Sequence, residues 1–304
     1  MVEIKQKDTG EVLATINSDD LAGADLREYD LLNADLRGMD MQGANFLNSD
    51  LTGADLRDAD LRSASLTNTI LDKADLTNVN LKQANLQGAQ LVNTTLDGAN
   101  LSNAILTGQS GGRAANLSNA SLLETTLIGA NLDNVVLSNA NLKGSDLNNA
   151  TLINANLQGA DLEGASICDA QLIRADMSGC NLSNTDLCGA HLNFATMTNV
   201  DFTDAQFSGE ETQQPAILTG ANLQRAKMVG THLAKAVLQR ADLSRTDLRN
   251  ANLSYALMSG AILRHANVEG ADFTGVHLDN VTMDFANFSK SKIAEIPSGK
   301  RNLR

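Results

Sequence analysis

Between Leu21 and Ile293 an apolar residue, usually leucine, recurs at every fifth position. We term it the centre of a five-residue unit. The register runs unbroken from Leu21 to Leu106, 18 centres in which only Met41 and Phe46 replace Leu. It resumes one residue out of phase at Leu117 and runs 19 centres to Phe207, then resumes again, shifted by one more, at Leu218 and runs through Phe288 to a weaker Ile293, 16 centres. Two residues before the centre stands a small residue, Ala in 11 of the first 18 units, and two residues after it stands Gly or Asn in 13 of them. The residue just before the centre is often Asp or Asn.

A period of five fits no continuous element. On an α-helix successive centres step by ~140° and smear around the axis. On a continuous strand an odd period throws them to alternate faces. They share one interior only if the chain turns a corner every five residues, with the small residue and the centre pointing inward. The Gly/Asn position then makes the corner, because those residues adopt positive φ cheaply. Four corners of ~90° close a square coil, and stacked coils pair backbone to backbone ~4.8 Å apart. The predicted fold class is therefore all-β, a parallel β-helix (solenoid) with about 20 residues per coil.

Tandem phrases such as Ala54-Asp55-Leu56-Arg57-Asp58 and Ala59-Asp60-Leu61-Arg62-Ser63 resemble the pentapeptide repeat family, in the Leu-centred, Asn/Asp-rich style of its many cyanobacterial members. The resemblance covers about residues 19–293 and implies a right-handed quadrilateral β-helix, about 14 coils if each break in register counts as a side. It also implies a binding role, since most members of the family have no known activity. Members that protect DNA gyrase from quinolones resemble this chain in fold and acidity, but they dimerise through an apolar C-terminal helix that this chain lacks.

The breaks are six residues each, at 109–114 (QSGGRA) and 210–215 (EETQQP). If each replaces one side and adds one residue, they lie 20 sides apart, on one face, and Gln109, Ser110, Arg113, Glu210, Glu211 and Gln213 form part of one docking surface. Residues 1–17 read as an N-terminal β-hairpin cap, with a turn at Asp8-Thr9-Gly10, over the raw edge of a repeat region spanning 18–293. Bulky Tyr29 and Met39 take small-residue positions near that end and are expected to help fill it. Residues 294–304 read as a flexible basic tail.

Charge and composition narrow the function. The net charge of −13 is uneven: −9 over residues 1–106, −7 over 107–207 and +3 over 208–304. With a 20-residue coil, positions i and i+20 stack. Asp20, Asp40 and Asp60 form one outer column, continued by Asn80 and Asn100, and Asp35, Asp55 and Asp75 form a second with Arg37, Arg57 and Arg62 beside them. These columns could balance charge, bind cations or imitate the charge of DNA. Arg225, Arg245 and His265 form a basic column. With the breaks counted as sides it falls on the face of Asp20, Asp40 and Asp60, which would allow weak end-to-end association of an otherwise monomeric protein. In this division of the chain, the outward residues carry no fold duty.

An acidic, aromatic-poor surface excludes direct nucleic-acid binding as an expectation. Metal spacings such as CxxC and HExxH are absent, and the four histidines fall apart from one another, so neither a cofactor nor an enzymatic activity is expected. Three cysteines make no disulfide framework. Cys180 points inward, while Cys168 and Cys188 stack outward with parallel Cβ vectors that favour reduced thiols. The first residues carry charges where a signal peptide needs an apolar core, and no stretch of 18 apolar residues occurs, so the expected location is cytoplasmic, away from membranes. The function expected is a non-enzymatic protein–protein interaction scaffold or regulator with an unknown protein partner. The alternative is a DNA-mimic modulator of DNA gyrase or topoisomerase.

Overall fold

The computed structural model describes residues 1–107, 114–208, 214–278 and 280–293. It divides into two compact units, Met1–Asn156 and Leu157–Arg304, and among the described residues neither contains a helix. Each unit is a β-helix of short sides paired in parallel. The pairing offset is the expected 20 residues, as in Asp35↔Asp55↔Asp75 in the first unit and Asp242↔Ile262↔Thr282 in the second.

One side shows how all are built. Leu56 N–H donates to the Asp75 carbonyl at 2.7 Å, and Asp55 N–H donates to the Ala34 carbonyl at 2.9 Å, so the side is stitched to the coils above and below. The corner that follows is closed by Ala59 N–H donating to the Leu56 carbonyl at 3.1 Å, three residues back. Closing so tight a turn holds the residue two after the centre at positive φ, here Asp58 at 59°. The same conformation recurs at corner after corner. Gly and Asn dominate, as the pattern requires, yet Phe194 (59°), Tyr255 (58°), His265 (59°) and Phe285 (59°) are held there too. Left-handed backbone costs a residue with a Cβ about 1–2 kcal/mol, so the stacked ladder must override local preference at these corners.

The centres and the small residues face inward. Leu56 and Ala54 are fully buried, and almost every other centre is likewise sealed, whereas Ile293 is only half-buried. Where Ser or Thr replaces Ala, its hydroxyl returns to a backbone carbonyl: Thr69 to Phe46 at 2.8 Å, Thr94 to Leu71 at 2.9 Å, Thr246 to Leu243 at 2.7 Å. A buried hydroxyl is tolerated only with such a partner.

The N-terminal residues form a β-hairpin. Strands β1 (Val2–Gln6) and β2 (Val12–Ile16) pair antiparallel, and β1 also pairs antiparallel with β3 (Ala34–Asp35). The free edge of the Leu36 side is thereby covered, which removes one template for aggregation. Ile4 of β1 is fully buried, and Lys7 Nζ reaches the Gly53 carbonyl at 2.5 Å. Tyr29 and Met39 are half-buried, so they fill the end only in part.

The breaks are not sides. Gln90 pairs with Asn116 and His191 with Ile217, an offset of 26 residues with four sides between. Ala115 N–H still donates to the Leu106 carbonyl at 2.8 Å, and Ala216 N–H to the Phe207 carbonyl at 2.8 Å, the same bond that closes nearly all ordinary corners. Each break is thus a six-residue insertion into one corner of its own unit. The count of 20 sides fails, and with it the placing of both breaks, and of the Arg225 and Asp20 columns, on one face. Gln109, Ser110, Arg113, Glu210, Glu211 and Gln213 lie outside the described residues, as does the tail 294–304.

Two stability predictions follow from this geometry. Leu56→Ala, which empties a sealed position, is expected to lower unfolding free energy by roughly 2–5 kcal/mol in urea denaturation. Gly179 and Gly220 are both corners (φ 71° and 69°), but a Cβ on Gly179 meets open space whereas one on Gly220 falls 2.7 Å from the Phe194 ring. Gly179→Ala should cost about 1–2 kcal/mol and Gly220→Ala measurably more, a gap that closes in Phe194→Ala.

Candidate interaction surface

The outer face of each side begins with a backbone requirement. The N–H one residue after the centre has no partner in the ladder, and a lone N–H is costly to leave unmet. The Asp or Asn just before the centre supplies the acceptor: Asp40 Oδ1 takes Gln42 N–H at 3.1 Å, Asp55 takes Arg57 N–H at 3.3 Å, Asn252 takes Ser254 N–H at 3.0 Å. Where Gln90 or Thr151 holds that place, an aspartate one coil back substitutes: Asp72 accepts Val92 N–H and Asp133 accepts Ile153 N–H, both at 2.8 Å. The outward residues therefore do carry fold duty, contrary to expectation.

In the first unit the acidic columns are partly neutralised. Arg37 holds Asp35 at 2.6 Å and reaches Asp55 at 3.6 Å, and Arg57 holds Asp55 at 2.6 Å and reaches Asp75 at 3.6 Å, a zipper of alternating charge along one face. Hydrogen bonding from Arg57 keeps the Asp55 carboxyl below its ordinary range, against the opposing pull of partial burial. Asp20, Asp40 and Asp60 do come together: Leu21 N–H donates to the Asp40 carbonyl at 3.2 Å, and Asp40 pairs with Asp60. Asp60 is bound to Arg62 at 2.6 Å, whereas Asp20 and Asp40 are exposed. They border a small cavity of about 260 Å³ with Val2, Leu21 and Met39. Among the described residues no three His, Cys, Asp or Glu side chains are arranged to hold a metal ion.

The second unit carries the larger feature. Arg225, Arg245 and His265 occupy successive corners, tied by Arg225 N–H to the Ser244 carbonyl (3.0 Å) and Arg245 N–H to the Arg264 carbonyl (2.9 Å). With Arg264, Asp242 and Ile262 they line a groove of about 630 Å³. Phe285, the next corner of the column, stacks on His265 at 5.0 Å between centroids and 8° between planes. Asp242 is already engaged. It accepts Gln224 Nε2 at 2.6 Å and Ser244 N–H at 2.9 Å, and burial, which would raise its pKa, is outweighed by these bonds, leaving it below the ordinary range. Arg264 also contacts Asp284 at 3.4 Å. Three guanidiniums and an imidazole face outward around a carboxylate that is internally satisfied, which is the chemistry of an anion-receiving surface. The column Arg225, Arg245, His265 was legible from the 20-residue offset. Arg264 was missed because it lies on the neighbouring column, and the Phe285 stack was open to the same offset rule.

A β-helix built from turn-closed five-residue sides defines a narrow class. The family model described as pentapeptide repeats (8 copies) matches residues 20–58, 59–98, 74–108, 113–149, 130–167, 145–184, 175–209, 216–254 and 256–293. The chain belongs to the pentapeptide repeat family. Among solved structures it is similar to HetL, a pentapeptide repeat protein involved in heterocyst differentiation regulation from the cyanobacterium Nostoc sp. strain PCC 7120, at 31% identity over 81% of this chain and 88% of that one, TM-score 0.28. It is also similar to QnrB1, a plasmid-mediated fluoroquinolone resistance protein, at 12% identity over 84% and 88%, TM-score 0.28, and to Rfr23 from the cyanobacterium Cyanothece 51142, at 32% over 44% and 60%, TM-score 0.13. No curated protein matches the chain.

The carboxylates of this surface set a pH dependence. Asp35, Asp55, Asp60 and Asp247 are held low by Arg hydrogen bonds, and Asp272 is lowered to about 2, first by the Thr274 hydroxyl. A depressed folded pKa adds stability above the unfolded value, near 3.9, and that stability is lost as pH falls through the folded values. The urea midpoint should therefore be level near neutrality and drop below about pH 4 toward pH 2. Asp55→Asn, which keeps an acceptor for Arg57 N–H but not the charge, should shrink the drop.

Proposed function

We propose that this protein performs no chemistry and acts as an interaction scaffold, binding a protein partner through the basic groove of its second unit. The observation that carries this is the alignment of Arg225, Arg245, Arg264 and His265 around a groove whose internal carboxylate is already satisfied. A partner of matching chemistry is an acidic, extended segment laid along the corner column, where it meets cations at the ~4.8 Å coil spacing. The coil is right-handed, as a connection between parallel neighbours almost always is, and runs to about 13 turns once the breaks count as corners. Among the described residues the cysteines form no disulfide, which suits a reducing cytoplasm. Among the described residues no helix is long and apolar enough to cross a membrane. Such a protein would be monomeric or associate weakly end to end.

The second reading, a DNA mimic acting on gyrase or topoisomerase, draws on the acidic columns of the first unit. The Arg37 and Arg57 zipper counts against it, since it cancels charge where a mimic needs it unpaired. A supercoiling assay left unchanged by excess protein would eliminate this alternative.

For the groove, titration with a short poly-glutamate peptide is the direct measurement. Arg225→Glu with Arg245→Glu should weaken binding at least about tenfold, and rising salt should weaken binding to the unaltered protein, because exposed pairs are screened over ~8 Å at physiological ionic strength. Equal affinity in both proteins would remove the groove as the contact.

A further inference from the structure

The second unit holds a pair of thiols that groove binding does not use. Cys168 and Cys188 each stand one residue after a centre, on sides paired directly: Ile167 N–H donates to the Asp186 carbonyl at 2.7 Å and Asp169 N–H to the Cys188 carbonyl at 2.9 Å. Neighbouring parallel sides lie ~4.8 Å apart, inside the Cα separation a disulfide spans. Parallel Cβ vectors alone would leave the sulfurs poorly aimed, yet the Cys188 thiol hydrogen-bonds the Cys168 sulfur, and the Ser166 hydroxyl approaches that sulfur at 3.9 Å. The two thiols therefore stand side by side on adjacent coils.

Their environments differ. Cys188 is 4% exposed, at a position in the repeat that is otherwise half-buried or exposed among the described residues, whereas Cys168 remains half-open to solvent. Asp186, whose Oδ1 accepts Cys188 N–H at 3.1 Å, opposes ionisation of either thiol. The hydrogen bond from Cys188 outweighs it at Cys168, whose pKa is lowered, while the same bond raises that of Cys188. Cys180, the third cysteine, is buried, donates to the Leu157 carbonyl at 2.9 Å and is pushed up to about 12 by burial.

We propose that Cys168 and Cys188 form a redox couple, in which Cys168 is the peroxide-reactive thiol and Cys188 the resolving thiol that closes a disulfide between adjacent coils. The Cys168 thiolate attacks one oxygen of hydrogen peroxide, the O–O bond breaks, and the departing hydroxide takes a proton to leave as water. Cys168 becomes a sulfenic acid. The Cys188 sulfur, giving its proton to solvent, then attacks the Cys168 sulfur and displaces hydroxide, which is protonated to a second water. Two thiols lose two electrons and two protons, and the peroxide is reduced to water. An external dithiol reverses the step by exchange and is itself oxidised. The direct pairing of the two sides that bear Cys168 and Cys188, and the exposure of only one of the two thiols, carry this assignment.

The test uses the full chain, treated with hydrogen peroxide, then alkylated under denaturing conditions and mapped by mass spectrometry. Before oxidation all three cysteines should take label. Afterwards only Cys180 should, with a Cys168–Cys188 linked peptide that dithiothreitol reopens. Cys180→Ser should still close. Cys188→Ser should stop at a sulfenic acid on Cys168 that dimedone traps, and Cys168→Ser should give no link. Three labelled cysteines after oxidation, a link that includes Cys180, a covalent dimer or direct passage of Cys168 to sulfinic acid in the unaltered protein would each overturn the proposal.

Discussion

Among the described residues nearly every side ends in the same hydrogen bond, from a backbone N–H to the carbonyl of the centre, ordinarily three residues back. Closing it places one residue per side in left-handed conformation and turns the chain through a corner. The small residue beyond the corner and the next centre then face the interior, and the outer carbonyls and N–H groups align with the coils above and below. The bond survives even at the breaks, where Leu106 and Phe207 still accept from Ala115 and Ala216 across six extra residues. Insertions are absorbed at corners because only there can chain leave the ladder without uncoupling it.

The surface follows from the same accounting. One N–H per side points outward without a ladder partner, so the fold recruits Asp or Asn to satisfy it, and Arg one residue past the centre then pairs with that Asp, as Arg27, Arg57 and Arg249 do. Much of the negative charge is therefore structural in origin, which lowers its weight as a signal to partners. Charge that the ladder does not need stands out by contrast, as at Arg225 and Arg245 in the second unit.

Period and stacking are legible in the sequence alone. A leucine every five residues excludes helix and continuous strand, and a square coil fixes which residues share a column, so Asp20 with Asp40 and Arg225 with Arg245 could be paired on paper. The breaks were misjudged for an arithmetical reason. Six inserted residues and one side plus one residue shift the register identically, and phase alone cannot separate them. The role of Asp55 and its equivalents is set by a backbone donor, which the alternation of inward and outward side chains does not display.

By itself, the sequence determined the repeat, the identity of the buried positions and the hairpin at the front, because each depends on short-range spacing and on what can be packed in a narrow core. Only the tertiary structure decided what lies between columns. The groove joins Arg264 to the Arg225 column, Phe285 lies flat on His265, and Cys188 is sealed while Cys168 beside it stays half-open. Such contacts depend on rotamers and on the offset between neighbouring coils, and a five-residue period carries no information about either.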